Sequence, residues 1–252
     1  MTNGFAETTT TAAVDRKRVV FTMGGKGGVG KTAVASALAG WYEHNEIPVT
    51  MLDLDSENKA VGSLKHYYAM SSKVDINTPA GLDVFVDRLM ADDGVPIVLA
   101  DMGSGAGQVT NEWFNQMYDS VAGLVAFTAV GIVTPDPASV DSVLAWADRL
   151  QTRVEYLIVE NAVSLNSKFE YWDNTREACR FREVFKPLIV RAEYRLAELE
   201  HASRQHGFTL RAVAARQANV AELAKASLVI RAQGYQKRLF AEFDRATRLL
   251  IP

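Results

Sequence analysis

Short apolar, β-branched runs that end on glycine or aspartate alternate along this chain with stretches in which apolar residues recur every three or four positions. The first run is Arg18-Val-Val-Phe-Thr-Met23, followed at once by glycines. Its unbroken apolar character predicts a strand covered on both faces. From Lys31 the residues Val34, Leu38 and Trp41 recur at helical spacing, which predicts a helix to about His44. Pro48-Val-Thr-Met-Leu-Asp53 and Val95-Pro-Ile-Val-Leu-Ala-Asp101 read as two further strands, each ending on an aspartate. More strands are expected at Gly123–Val130, Val154–Glu160 and Lys186–Val190, with helices near 81–91, 108–119, 137–150 and 195–206. From Gln233 to Leu250 one stripe carries Leu239, Phe243, Ala246 and Leu250 and another carries Arg238, Arg245 and Arg248, the pattern of a closing amphipathic helix. Such alternation implies an α/β fold, a single doubly wound, mostly parallel sheet with helices on both faces. It places ligands at the carboxyl ends of the strands.

Composition narrows the picture. With 252 residues and 48% apolar content the chain can bury one substantial core, and no Pro/Gly/Ser-rich linker divides it. A formal charge of −3 argues against a protein that coats nucleic acid constitutively. The single cysteine, Cys179, excludes an intrachain disulfide and a thiolate zinc site built by one chain, which fits a reducing, cytoplasmic setting. Residues 1–15, with the threonine run Thr8–Thr11, lack the apolar stretch of a secretory signal and read as a flexible arm. No run of about 20 apolar residues is available to span a bilayer.

Between the first strand and the first helix lies Gly25-Lys-Gly-Gly-Val-Gly-Lys-Thr32, which satisfies the phosphate-loop pattern G-x-x-x-x-G-K-[ST] at every fixed position and in the right context. Gly27 and Gly28 let the backbone curl so that consecutive N–H groups aim at phosphate oxygens, and the new helix adds its positive end. Gly25, Val29, Gly30 and Ala33 complete the main-chain cradle. Lys31 would reach the β and γ phosphates, and Thr32 would offer its hydroxyl to Mg²⁺. A glycine-rich turn that merely packs helix on strand would not need all eight positions.

The segment Lys26-Gly-Gly-Val-Gly-Lys-Thr32, with its second lysine at the start of the loop, resembles the deviant Walker A motif of the ParA/MinD superfamily of P-loop NTPases. The resemblance makes residues 16–252 one nucleotide-binding domain for ATP or ADP with Mg²⁺. It gives Lys26 the role of crossing a face-to-face, ATP-dependent homodimer to touch the nucleotide of the partner subunit. Asp53-Leu-Asp55 resembles the D-x-D element of the family, which implies the magnesium shell for Asp53 and the attacking water for Asp55. In this chain Ser56-Glu57 replaces the common Pro-Gln of that switch. Asp101-Met-Gly-Ser-Gly105 resembles the Walker B strand end and second switch, implying a metal-shell role for Asp101 and a γ-phosphate contact for the Gly103 amide. Pro135, Ser139 and Asp141 match the family's helix start. Asn161 stands where an asparagine reads adenine, or else caps a turn. Glu200-His-Ala-Ser and Gly207 match a later helix and turn, with Arg191 where proline is usual.

The resemblance implies slow hydrolysis completed by a stimulating protein partner, in the service of plasmid partition or conjugative transfer. A cobyrinate-synthase-like ligase and a MinD-like membrane-cycling regulator remain alternatives. Nonspecific DNA could be met by Arg231, Lys237, Arg238, Arg245 and Arg248 near the C-terminus, although such residues are equally a solvated helix face. A lipid contact through the same helix is the weaker reading, because Leu239, Phe243 and Leu250 have a use against the sheet. His44, His66, His201 and His206 show no metal-ligand spacing.

Overall fold

A computed structural model describes residues 16–55, 61–91, 93–104 and 107–252. The expected N-terminal arm, Ser56-Glu57 and Gly105 lie outside the described residues. The elements run β1 (Lys17–Met23), α1 (Lys31–His44), β2 (Val49–Asp53), α2 (Leu64–Tyr67), β3 (Ser72–Lys73), α3 (Pro79–Met90), β4 (Ile97–Asp101), α4 (Gly107–Val121) and β5 (Val125–Val133). There follow α5 (Pro137–Leu150), β6 (Glu155–Asn161), α6 (Glu170–Asn174), α7 (Arg176–Phe185), β7 (Leu188–Ala192), α8 (Ala197–His206), α9 (Leu210–Ala214), α10 (Ala226–Arg245) and α11 (Thr247–Leu250).

The strands form one sheet in the order β3-β2-β4-β1-β5-β6-β7. Every pairing is parallel. After β1 the chain winds first toward the β2 edge and then, from β5 onward, toward β7. The reversal opens a crevice at the carboxyl end of β1, the place where open α/β sheets bind ligands.

Period-two alternation divides each central strand between two cores. Val19, Phe21 and Met23 of β1 face one side with Phe114, Val143, Trp146 and Trp172, whereas Val20 faces the other with Leu38, Trp41, Leu239 and Phe243. A third, smaller cluster joins Leu199 and Ala202 of α8 to Val213, Leu228 and Ala232. Helices thus cover both faces, as a parallel sheet requires.

The doubly wound α/β fold is as expected, with corrections at its edges. The expected strand at Gly123–Val130 is β5, two to three residues further on, where Thr134-Pro135 ends it. The expected closing helix from Gln233 to Leu250 starts earlier, at Ala226, and stops at Arg245. Past Ala246 the last residues turn onto the sheet, because the Thr128 hydroxyl donates to the Leu249 carbonyl (2.6 Å) and the Tyr42 hydroxyl to that of Leu250 (2.8 Å). Arg191, where the family usually has proline, donates its backbone N–H to Glu242 (3.1 Å) and stacks its guanidinium over Phe169. Proline has no N–H to make that bond.

Candidate functional site

The glycine loop leaves β1 in conformations that side chains resist. Gly24 (φ +112°), Gly28 (+78°) and Gly30 (+100°) all lie in the positive-φ region. The Ser142 hydroxyl of α5 accepts from the amides of Gly25 and Lys26, the latter at 3.0 Å, and so ties the start of the loop to a helix distant in sequence. At its far end the Asn161 side-chain amide donates to the Val29 carbonyl (2.9 Å), and a Cβ on Gly30 would stand 2.7 Å from that nitrogen. Asn161 therefore braces the loop.

Lys31 opens α1 with its side chain buried, and its ammonium donates to the Lys26 carbonyl across the loop (2.9 Å). Gly27, Gly28, Gly30, Lys31, Thr32 and Ala33 line a cleft of about 360 Å³. Asp55, Met102 and Ser104 line it too, together with Gly62, Tyr67, Glu200 and Arg204. Lys26 sits at the rim, 44% exposed, with its ammonium 3.5 Å from Asp136 at the start of α5.

Asp53 and Asp101 stand in register at the ends of neighbouring strands. Asp53 is fully buried and meets protein donors on both oxygens. Oδ1 accepts from the Asp55 amide (3.2 Å) and lies 3.7 Å from the Lys73 ammonium, while Oδ2 accepts from the Lys65 amide (3.1 Å). Asp101 is equally buried, and its Oδ1 accepts from the Thr22 hydroxyl (3.1 Å), but its Oδ2 has no hydrogen-bond partner among the described residues. Burial pushes the Asp101 carboxyl up to about 7, against the hydroxyls of Thr32 and Thr22 and the Lys31 ammonium; the charge of Asp53 pushes the same way as burial.

An unsatisfied buried carboxylate oxygen is costly on its own and fits a cation or its bound water. Among the described residues no group of three or more His, Cys, Asp or Glu is placed to hold a metal ion. A magnesium ion here would rest on Thr32, on Asp101 and on oxygens from water and phosphate. Gly103 completes the site by close approach, since a Cβ there would lie 2.6 Å from Asp55 Oδ1.

Asp101 yields a prediction for the protein without nucleotide or metal. Its folded-state value lies above the ordinary 3.8, so the stability it allows is fully present below about pH 4 and falls as pH rises through about 7. Asp101→Asn should raise the melting temperature by several degrees at pH 8, with the gain shrinking toward pH 4.5. An identical gain at both pH values would contradict the assignment.

Comparison with known proteins accords with this geometry. Residues 20–236 match the model of the CobQ/CobB/MinD/ParA nucleotide binding domain. The chain belongs to that family. Among solved structures, the fold is similar to MinD in the MinC:MinD cell division protein complex of Aquifex aeolicus, with TM-score 0.55, 14% identity and 93% and 97% of the two chains covered. It is likewise similar to the MinD cell division protein of the same organism, with TM-score 0.51, 16% identity and 93% and 98% covered. A search of curated protein sequences finds no match. The fold is that of an α/β P-loop NTPase, and family membership makes the chain a nucleotide-binding protein of an ATPase superfamily.

The cleft gathers Gly27, Gly28, Gly30, Lys31, Thr32, Ala33 and Asp55 from the sequence-derived set. Gly25, Val29, Gly103 and Asn161 touch it through the loop or through Asp55. Asp101 and Asp53 lie beneath it. Sequence reasoning missed Ser142, Asp136, Lys73, Tyr67 and Arg204, which reach the site through the fold rather than through a local motif. Toward the C-terminus, Arg238, Arg245 and Arg248 pair with Glu193, Glu242 and Glu155, so most of the basic stripe offered for DNA is matched by carboxylates of its own chain. Among the described residues no helix is long and apolar enough to cross a membrane.

Proposed function

We propose that this protein binds ATP with Mg²⁺, hydrolyses it slowly, and uses the cycle as a switch that dimerises in the ATP state. The observation that carries this reading is the two-lysine loop, in which Lys31 is buried across the phosphate cradle while Lys26 stands at its exposed rim. A buried lysine serves the nucleotide of its own chain. An exposed one at the same mouth is placed to serve a nucleotide presented by a second copy.

In this account the loop amides and Lys31 hold the phosphates, and Thr32 and Asp101 would hold the metal shell, which would supply charge neutralisation at the transferring phosphate. Asp53, which the resemblance assigns to the metal shell, has both oxygens bonded to main-chain amides and supports the shell by orienting the Asp55 amide and the Lys65 turn. Asp55 orients the attacking water and accepts its proton. Lys26, contributed across the dimer, stabilises the charge that develops on the phosphate oxygens, as an arginine finger does. Asn161, beside the loop, reads the adenine edge. A protein partner completes the switch loops and sets the rate, by analogy with the MinD structure solved together with MinC. Partition of DNA or conjugative transfer is the process such a switch would serve.

Size-exclusion chromatography with light scattering tests the switch. With Mg²⁺ and a non-hydrolysable ATP analogue the protein should run as a dimer, and with ADP as a monomer. Lys26→Ala should stay monomeric with either nucleotide while binding it within a few-fold of normal affinity. Identical elution of both proteins in every nucleotide state would contradict the cross-subunit lysine.

A further inference from the structure

The wall of the cleft carries a cation that the family motifs do not assign. Arg204, in the last turn of α8, lines the same cavity as Gly27, Gly28, Lys31 and Thr32. Its carbonyl accepts from His66 Nε2 (2.8 Å), which fastens α8 to α2, the short helix that follows the Asp55 strand end. Its guanidinium rests on Gly62, where φ is +92° and a Cβ would stand 2.8 Å from Arg204 Nε. The absence of a side chain at Gly62 is what lets that guanidinium lie there.

The nearest acid on the same helix face is Glu200, one turn earlier, which also lines the cleft. Glu200 is already paired with Arg195 (3.2 Å). Among the described residues no carboxylate forms an ion pair with Arg204. A guanidinium with no ion-pair partner among the described residues, lining a cavity with main-chain amides and a buried lysine, suits an oxyanion. Its fork of donors matches phosphate geometry.

We infer that Arg204 is a second phosphate-binding cation, which reaches from α8 across the cleft to the polyphosphate chain of the nucleotide. The inference rests on the nucleotide-binding reading above. Because the Arg204 carbonyl is bonded to His66 and its guanidinium rests on Gly62, a nucleotide held by Arg204 also ties α8 to α2.

Titration calorimetry with Mg²⁺ and ATP, ADP or AMP tests the assignment, using wild type, Arg204→Ala, Arg204→Lys and His66→Ala. Arg204→Ala should bind ATP about tenfold or more weakly, with a smaller loss for ADP and little for AMP. Arg204→Lys should recover part of the ATP affinity at low salt and lose it as salt rises. His66→Ala, which leaves the guanidinium in place, should bind ATP within a few-fold of wild type. Arg204 is exposed, so the melting temperature of the two nucleotide-free Arg204 variants should match that of wild type. Unchanged ATP affinity in Arg204→Ala, or an equal loss for all three nucleotides, would overturn the inference while leaving the phosphate loop untouched. Failure of wild type itself to bind ATP would remove both readings together.

Discussion

Replacing Lys31 with alanine is expected to weaken binding of Mg·ATP by about 100-fold while leaving the fold intact. The side chain is buried at the base of the cleft and spans the loop to the Lys26 carbonyl. In that position it would face the phosphates of a bound nucleotide, where a charge-assisted hydrogen bond contributes about 1.5–3 kcal/mol. The loss should grow with phosphate number, being greatest for ATP and least for AMP. Lys31→Arg should not restore it, because the larger planar fork has no room within a loop closed around a single ammonium. Equilibrium binding of a fluorescent ATP analogue, competed with each nucleotide, measures the loss. An alanine variant that binds ATP as tightly as wild type would show that the loop does not hold the phosphates.

Asp55→Asn is expected to separate binding from turnover. Asp55 sits half-buried in the cleft, its amide bonded to Asp53 and its carboxylate pressed against Gly103. Asparagine keeps the shape and loses the basic oxygen. General-base assistance of this kind is worth on the order of 10²–10⁴ in rate. Steady-state phosphate release should fall by at least about 100-fold, with ATP affinity within a few-fold of wild type and the ATP dimer retained or longer-lived. A variant that hydrolyses ATP at near-normal rate would transfer the role to another group. A variant that loses binding and turnover together would make Asp55 a structural support of the cleft.

The site was legible in the sequence where chemistry is written locally. The phosphate loop needs specific residues at fixed spacing, and the aspartates of β2 and β4 are marked by ending strands of unbroken apolar character. Parallel strands placed side by side bring Asp53 and Asp101 into register without any further signal. The parts that were not legible depend on contacts made by distant segments. Ser142 holds two loop amides from 117 and 116 residues away, and nothing in the helix period of α5 marks it for that task. Strand β3 is only Ser72–Lys73, two polar residues with no alternation, held in place by pairing with Leu52 and Asp53. Its lysine then reaches back toward Asp53. No local motif marks Arg204, which lines the cleft where α8 is bonded to α2 through His66.

The end of the chain teaches the same lesson in reverse. Its arginine stripe was real as a pattern, and in the folded protein three of those arginines meet carboxylates of β6, α10 and the segment after β7. Periodicity reported where the charges lie along the helix. It could not report which acids the fold sets opposite them.

The most direct test is calorimetric titration of the folded wild-type protein with Mg·ATP beside Lys31→Ala. One nucleotide bound per chain, with micromolar affinity in wild type and a loss of about 100-fold in the variant, is the expected result. No heat of binding from wild-type protein whose folding is verified by circular dichroism would contradict the account.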